Sequence, residues 1–467
     1  MTRVLVVTSD PIGRRMAGPA IRTWNICRRL QQEGHEVRLV TTSTLEPIPA
    51  AFELHLVPPG RHRAFGRLER WAEVIVFQGH AMSMFRTLRR SRKRLVADIY
   101  DPMNIEQLEQ AKTRPMREYI KVVSDRTELL NEQLLRADLL LAASDRQRLF
   151  YLGQLAGLGR VNPLTYGDDP DLARLLAVVP FGMTSEDPVA TGPAMRDVVP
   201  GIAPDDKIVL WAGGLYDWFD PHTLIRAMAT LAERRPNVRL FFQGTKHPGV
   251  PVMPVVASSI VLARELGVLD SVVFFNDSWV PYDERQNYLL EADLGVSTHG
   301  SHLETTLAFR TRILDYLWAG LPMVVTQGDS FGELVAREGL GEAVPHADPD
   351  ALADALERVL FDDAVAADAR AAVARVRERF RWEVVLQPLV DYVAAPWEAP
   401  DHALVPRESV VRARRVKHWG LRHDWRRFQH YLREGGLRAV GTKVGDRLRA
   451  RSVAVRSEAE PPSSRGA

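Results

Sequence analysis

Short apolar runs bounded by turn residues alternate with longer stretches of helical period along most of the chain, beginning with Val4-Leu-Val-Val7. A brief continuous apolar run fits a strand covered on both faces, as in a parallel sheet. Ala20 to Glu33 has helical spacing (Ile21, Trp24, Ile26, Cys27, Leu30) and stops at Gly34, after which EVRLVTT begins the next strand. The same strand character recurs in AEVIVFQG, RLVADIYD, DLLLAAS and LLAVVPFG, with helical patterns such as IKVVSDRTELLNEQLLR between them. Such alternation predicts a doubly wound α/β domain.

The segment MTSEDPVATGPAMRDVVPGIAPDD holds many breakers and no sustained period, and it marks a domain boundary. A second alternation follows. KIVLWAGG, VRLFFQG, VVFFND, LGVSTHG and PMVVTQG read as strands. Helices are expected from Pro221 to Arg235, around Val255 to Leu266, up to Ala292, and from near Leu307 to Gly320. Residues 345–372 and FRWEVVLQPLVDYVAA read as further helices. The expected organisation is a Rossmann-like domain over 1–185, a linker over 186–205, a second Rossmann-like domain over 206–375, a closing helix over 376–400, and a basic amphipathic tail with a disordered end over 401–467. Two such domains bring the carboxyl ends of both sheets to one cleft, where ligands of open α/β sheets bind.

Composition narrows the function classes. With 46% hydrophobic and 26% charged residues among 467, the chain is neither disordered nor fibrous. Cys27 is the only cysteine, which excludes an internal disulfide and cysteine-built metal centres and fits a reducing compartment. The apolar start is too short for a signal peptide, and no stretch approaches the roughly 18–20 apolar residues of a membrane span. The expected location is cytoplasmic. A net charge of +2 conceals fourteen Lys or Arg against five Asp or Glu between Asp401 and Arg451. Interleaved with Trp419, Trp425, Phe428 and Tyr431, these arginines suit either a helix at the anionic inner membrane face or a solvated helix packed on the body. No nucleic-acid module is present, so no nucleic-acid partner is expected.

Four segments carry candidate chemistry. In the loop from Pro11 to Pro19, Gly13 and Gly18 allow close approach of a ligand to a helix start, or form a bare turn. In AGGLYDWFDP, Gly213 and Gly214 follow a strand and Asp220-Pro221 opens a helix, giving either a phosphate cradle or a plain connection. In THGSHLETTLAFRTRILDYLWAGLPMVVT, a carboxylate such as Asp315 can accept two hydrogen bonds from a ribose diol, and Arg310 and Arg312 can neutralise phosphates. The bland alternative is a surface ion pair. His299, His302 and Glu304 do not have a zinc-site spacing, and no metal is expected. Asp98 and Asp101 in DIYDP serve acid–base chemistry or cap a turn before Pro102, and His80 ends the preceding strand.

These halves, with GHEV at 34–37 and Asp315-Tyr-Leu-Trp-Ala-Gly-Leu-Pro322, resemble the nucleotide-sugar glycosyltransferases of GT-B fold, most closely family 4 retaining enzymes, over roughly residues 1–395. That family carries a Glu-x7-Glu motif ending in Glu-Ala-x-Ala-x-Gly-x-Pro. The resemblance implies that Asp315 takes the place of the second glutamate, which holds the donor ribose, and Glu304 that of the first, which meets the donor sugar. Ten residues intervene here instead of seven. Where the family has Gly-Arg-Leu and Lys-Gly on the diphosphate, this chain has Gly213-Gly214-Leu215 and Trp218-Phe219. Lys246, Arg310 and Arg312 are then the implied phosphate cations, Gly18, Gly213 and Gly214 the backbone contacts, and Trp279 a contact to the base. The segment Asp98-Ile-Tyr-Asp101-Pro stands where the family often places a histidine near the donor hexose, and His80, ending the preceding strand, is the alternative group to approach the cleft.

The implied activity is retaining transfer of a hexosyl or deoxyhexosyl group from a nucleoside diphosphate sugar to a lipid-linked or cell-envelope glycan, without an obligatory metal or other cofactor. The first domain would face the acceptor, and the tail would attach to an anionic membrane. Two alternatives stay open: a nucleotide-sugar epimerase of the same fold, and a catalytically silent sugar-nucleotide-binding protein at the membrane.

Overall fold

Val4 to Val7 are fully buried because each strand of a doubly wound sheet is covered by helices on both faces. In the computed structural model, which describes residues 1–14, 16–245, 252–278 and 280–404, this run lies in β1 (Arg3–Thr8). Around it stand β2 (Glu36–Thr41), β3 (Glu53–Leu56), β4 (Val74–Gln78), β5 (Arg94–Asp98), β6 (Leu139–Ala142) and β7 (Leu176–Val178). They form one parallel sheet in the order β3-β2-β1-β4-β5-β6-β7.

The second sheet is also parallel. It comprises β8 (Lys207–Gly214), β9 (Val238–Gly244), β10 (Val273–Phe275), β11 (Leu294–Ser297), β12 (Met323–Thr326) and β13 (Gly341–Val344) in the order β10-β9-β8-β11-β12-β13. In each sheet the order reverses beside the first strand, at β1/β4 and β8/β11. Those switch points open crevices at the carboxyl ends of the strands. Both sheets belong to one compact unit spanning residues 1–405, and an apolar cluster runs from Val4, Val6 and Ile26 through Phe181 to Leu210, Leu317 and Leu389.

The chain leaves the first sheet and returns to it. Between the sheets, the Glu291 carboxylate accepts bonds from the amides of Ala194, Met195 and Arg196, so the breaker-rich segment is pinned to the second half. The return is made at Met183, whose amide donates to Phe380 and whose carbonyl accepts from Trp382. Beyond it, Thr2 donates to the Val393 carbonyl at 2.9 Å, and the Ala399 amide donates to Asp138 at 2.9 Å. Asp401 then forms a fully buried two-bond pair with Arg160, at 2.7 and 3.0 Å.

Three expectations change. The helix expected to begin near Leu307 is two pieces, Leu303–Leu307 and Arg312–Ala319, because Ala308 is extended between them. Residues 345–372 divide at Asp362, whose side chain caps the helix Asp363–Val376. The closing helix is a 3-10 turn followed by Trp382–Val385 and Gln387–Ala394. The basic tail lies outside the described residues, apart from its first four positions.

Candidate active site between the two sheets

At the carboxyl end of β8, Gly213 has φ +73°, a left-handed conformation that glycine adopts without strain. A Cβ on Gly214 would stand 2.8 Å from the Tyr216 ring, so a larger residue here would have to displace that tyrosine. Tyr216 stacks on Trp218 with centroids 4.9 Å apart. Asp220 caps the helix Pro221–Arg234 by accepting from the Thr223 amide at 3.1 Å and its hydroxyl at 2.6 Å. The first turn of that helix therefore already faces a carboxylate, which opposes a phosphate there.

Positive charge comes instead from the helix Arg312–Ala319. Its first residue, Arg312, lies over the rings of Trp211 and Phe219 at 4.1 and 4.2 Å and donates to the Gly214 carbonyl at 2.8 Å. The side chain is buried, one guanidinium nitrogen (Nη1) has no hydrogen-bond partner, and no ion pair reaches it among the described residues. Burial pulls its pKa down to about 10, which still leaves it charged at neutral pH. A buried cation with one donor unmet beside a glycine turn has the chemistry to accept an anion.

Arg310 is not free in this way. Its two terminal nitrogens meet both Glu304 carboxylate oxygens, at 3.0 and 2.7 Å, and its Nε lies 3.9 Å from Asp329. This clamp occupies Arg310 as a phosphate candidate and Glu304 as a sugar contact. Burial raises the Asp329 carboxyl, but His299, 3.4 Å away, and Arg310 outweigh it and hold the group below its ordinary range. Asp315 lies one turn further along its helix, partly exposed, with Oδ1 3.1 Å from the Nε of Arg285.

The first sheet supplies the opposite wall. Gly18 opens the helix Gly18–Gln32, with no side-chain cap at its N-terminus. Asp98 does not reach the cleft as a free acid. It is fully buried, bonded twice to Arg22 at 2.8 Å and once to Gln78 at 3.0 Å, and Arg22 also donates to the carbonyls of Val179 and Pro180. Asp101 stands one turn beyond the strand and hydrogen-bonds Glu106, a residue sequence reasoning missed. Burial raises the Asp101 carboxyl, with Glu304 adding to the effect, and burial together with Asp101 raises Glu106 further. The pair therefore shares a proton more readily than two exposed acids would. His80 meets Arg126 at 3.2 Å, and burial and that charge lower its pKa.

The walls touch directly. Gln147, from the helix Asp145–Gly157, donates to the Leu307 carbonyl at 2.9 Å, and Arg146 reaches the carbonyls of Thr306 and Gly328 and the carboxylate of Glu333. The structure thus gathers Glu304, Arg310, Arg312, Gly213 and Gly214 on one side and Asp101 with Glu106 on the other. Lys246 and Trp279 lie outside the described residues. Among the described residues no three His, Cys, Asp or Glu side chains gather as a metal-binding group, and no helix is long and apolar enough to cross a membrane.

Comparison with known proteins bears on this arrangement. Residues 197–376 match the family model described as Glycosyl transferases group 1. A D-inositol 3-phosphate glycosyltransferase of Corynebacterium urealyticum is 29% identical over 235 residues, 48% of this chain and 52% of the relative. The match thus spans about half the length of that relative. Among solved structures, sucrose-phosphate synthase from Thermosynechococcus elongatus aligns over 84% of this chain and 98% of its own, with TM-score 0.61 and 17% identity. The lipopolysaccharide glycosyltransferase WaaG aligns over 84% and 100%, with TM-score 0.55 and 19% identity. Anabaena HepE, solved with UDP-glucose, aligns over 85% and 100%, with TM-score 0.59 and 14% identity. The two facing parallel sheets are the GT-B fold.

Proposed function

We propose that this GT-B chain, with its Glycosyl transferases group 1 domain over residues 197–376, is a glycosyltransferase that uses a nucleoside diphosphate sugar. The observation that carries the reading is Arg312: a buried guanidinium with an unmet donor beside the Gly213-Gly214 turn, at the switch point between β8 and β11. The diphosphate would sit against Arg312 and the glycine backbone, and Asp315 would take the ribose. The cation that the family places on the loop after β8 comes here from a helix more than ninety residues later, which supports a retained phosphate role despite the altered loop.

In the proposed retaining reaction, of the family 4 kind, the C1–O bond to the diphosphate breaks with its electron pair passing to the phosphate oxygen. The acceptor hydroxyl bonds to C1 on the same face, and its proton passes to that phosphate oxygen. Arg312 would stabilise the charge that grows on the leaving group. The sugar is proposed to be a hexose or deoxyhexose, the acceptor a lipid-linked or envelope glycan, and the site cytoplasmic, without a required metal. The tail beyond residue 404 would add attachment to an anionic membrane; a chain ending at Leu404 that still binds anionic vesicles overturns that part.

Isothermal titration with UDP, GDP, dTDP and ADP tests the core of the proposal. One of them should bind, and Arg312→Met should weaken it at least about tenfold, the worth of a lost charged hydrogen bond. Failure of all four to bind, or full affinity in Arg312→Met, refutes it. Product analysis with a radiolabelled donor sugar separates transfer from epimerisation.

A further inference from the structure

Resting on the donor reading above, we infer that Arg285 is a specificity-determining residue, which biases Asp315 towards one hydroxyl of the nucleoside. Arg285 opens the helix Arg285–Glu291, and its guanidinium lies between two aromatic rings, 3.7 Å from the centroid of Tyr282 and 4.3 Å from that of Trp318. It donates to the Tyr282 carbonyl at 2.7 Å and to Asp315 Oδ1 at 3.1 Å. A planar cation sandwiched between rings and tied at two edges cannot turn away from its acid. The Trp318 ring is itself held, since its indole N–H donates to the Glu186 carbonyl at 2.7 Å.

The consequence falls on the carboxylate. To grip both hydroxyls of a ribose, an acid presents its two oxygens as a fork, one to each hydroxyl. Arg285 fills one acceptor position of Oδ1, and among the described residues no other side chain bonds Asp315. Oδ2 is left as the less encumbered acceptor for the ligand. An aspartate is also one methylene shorter than the glutamate of the family motif, which shortens its reach across a diol. Arg285 acts through Asp315 and is a positioning residue. The site therefore reads one hydroxyl of the nucleoside more strongly than the other.

The test is direct binding of the ribonucleoside diphosphates UDP, GDP and ADP and of their 2′-deoxy and 3′-deoxy forms to the full chain, with melting curves to confirm folding of each variant. For whichever base binds, one deoxy form should match the ribonucleotide within about twofold, while the other loses on the order of tenfold. In Arg285→Ala both deoxy forms should lose affinity comparably, because the freed carboxylate can then fork across the diol. Equal losses for the two deoxy forms in the wild type, no loss for either, or an asymmetry unchanged in Arg285→Ala would each overturn the inference while leaving the donor reading intact. Absence of binding by all of these nucleotides and by dTDP would remove both.

Discussion

Asp98 offers a sharp test of whether a carboxylate near a catalytic cleft serves the fold or the chemistry. Its side chain and that of Arg22 are fully buried, and the carboxylate accepts two bonds from Arg22 and one from Gln78. Asp98→Ala leaves the guanidinium with the carbonyls of Val179 and Pro180 but without a counter-charge. Breaking one side of a buried pair costs about 3–5 kcal/mol, because the remaining charge stays desolvated. At about 2–4 °C per kcal/mol for a domain of this size, the first melting transition should fall by roughly 6–20 °C. Replacing both partners, as Arg22→Met with Asp98→Leu, should restore most of that loss, since an apolar pair of similar volume needs no compensation. Differential scanning calorimetry of the single and double variants reads both effects, with donor binding measured well below the transition. If Asp98→Ala melts within about 2 °C of wild type, the buried-pair account is wrong. If it also loses activity while remaining folded, Asp98 acts on substrate.

Three further outcomes follow from the cleft. Glu304→Ala strips Arg310 of its two-bond partner and should cost about 3–5 kcal/mol, seen as a lower melting temperature; unchanged melting with lost transfer would make Glu304 a sugar contact after all. Glu106→Gln should change how stability depends on pH. Because burial and Asp101 raise the folded Glu106 carboxyl above its ordinary value, its contribution is complete below about pH 4 and is lost as pH rises through the raised value. The variant should therefore be the more stable of the two at pH 7–8, and urea titrations that find no gain there would count against the pairing. Arg146→Ala removes contacts to Thr306, Gly328 and Glu333 across the cleft and should enlarge the radius of gyration in small-angle scattering; an unchanged profile would mean that Gln147 and the apolar contacts hold the walls alone.

The two sheets were legible because their strands are continuous apolar runs, and burial on both faces demands such runs. β3, ELHL, was not. It is a partly exposed edge strand with two leucines, set between proline-bearing segments. β13, GEAV, is also an edge with little apolar content. At the site, Gly213, Gly214 and Asp220 could be read because turn and cap chemistry is local. The Glu304–Arg310 clamp could not, because a six-residue spacing faces together only when the helix breaks at Ala308. Arg285 and Asp315 meet across thirty residues of chain, and the Arg22–Asp98 pair across seventy-six, distances over which helical or strand period carries no signal.

The return of the chain to its first sheet also sets a timetable for synthesis. The strands of that sheet are complete by Val178, yet Arg160 finds its buried carboxylate only at Asp401, 241 residues later. At about 5–20 residues per second on the ribosome, the interval is roughly 12–50 s. During it Arg160 lacks its counter-ion, and the surface destined for Val393 and Ala399 stands open to water. The second sheet must therefore be made, and the chain joined at Met183 and Trp382, before the first is finished. In a chain of this architecture the earliest-built sheet is the last to close.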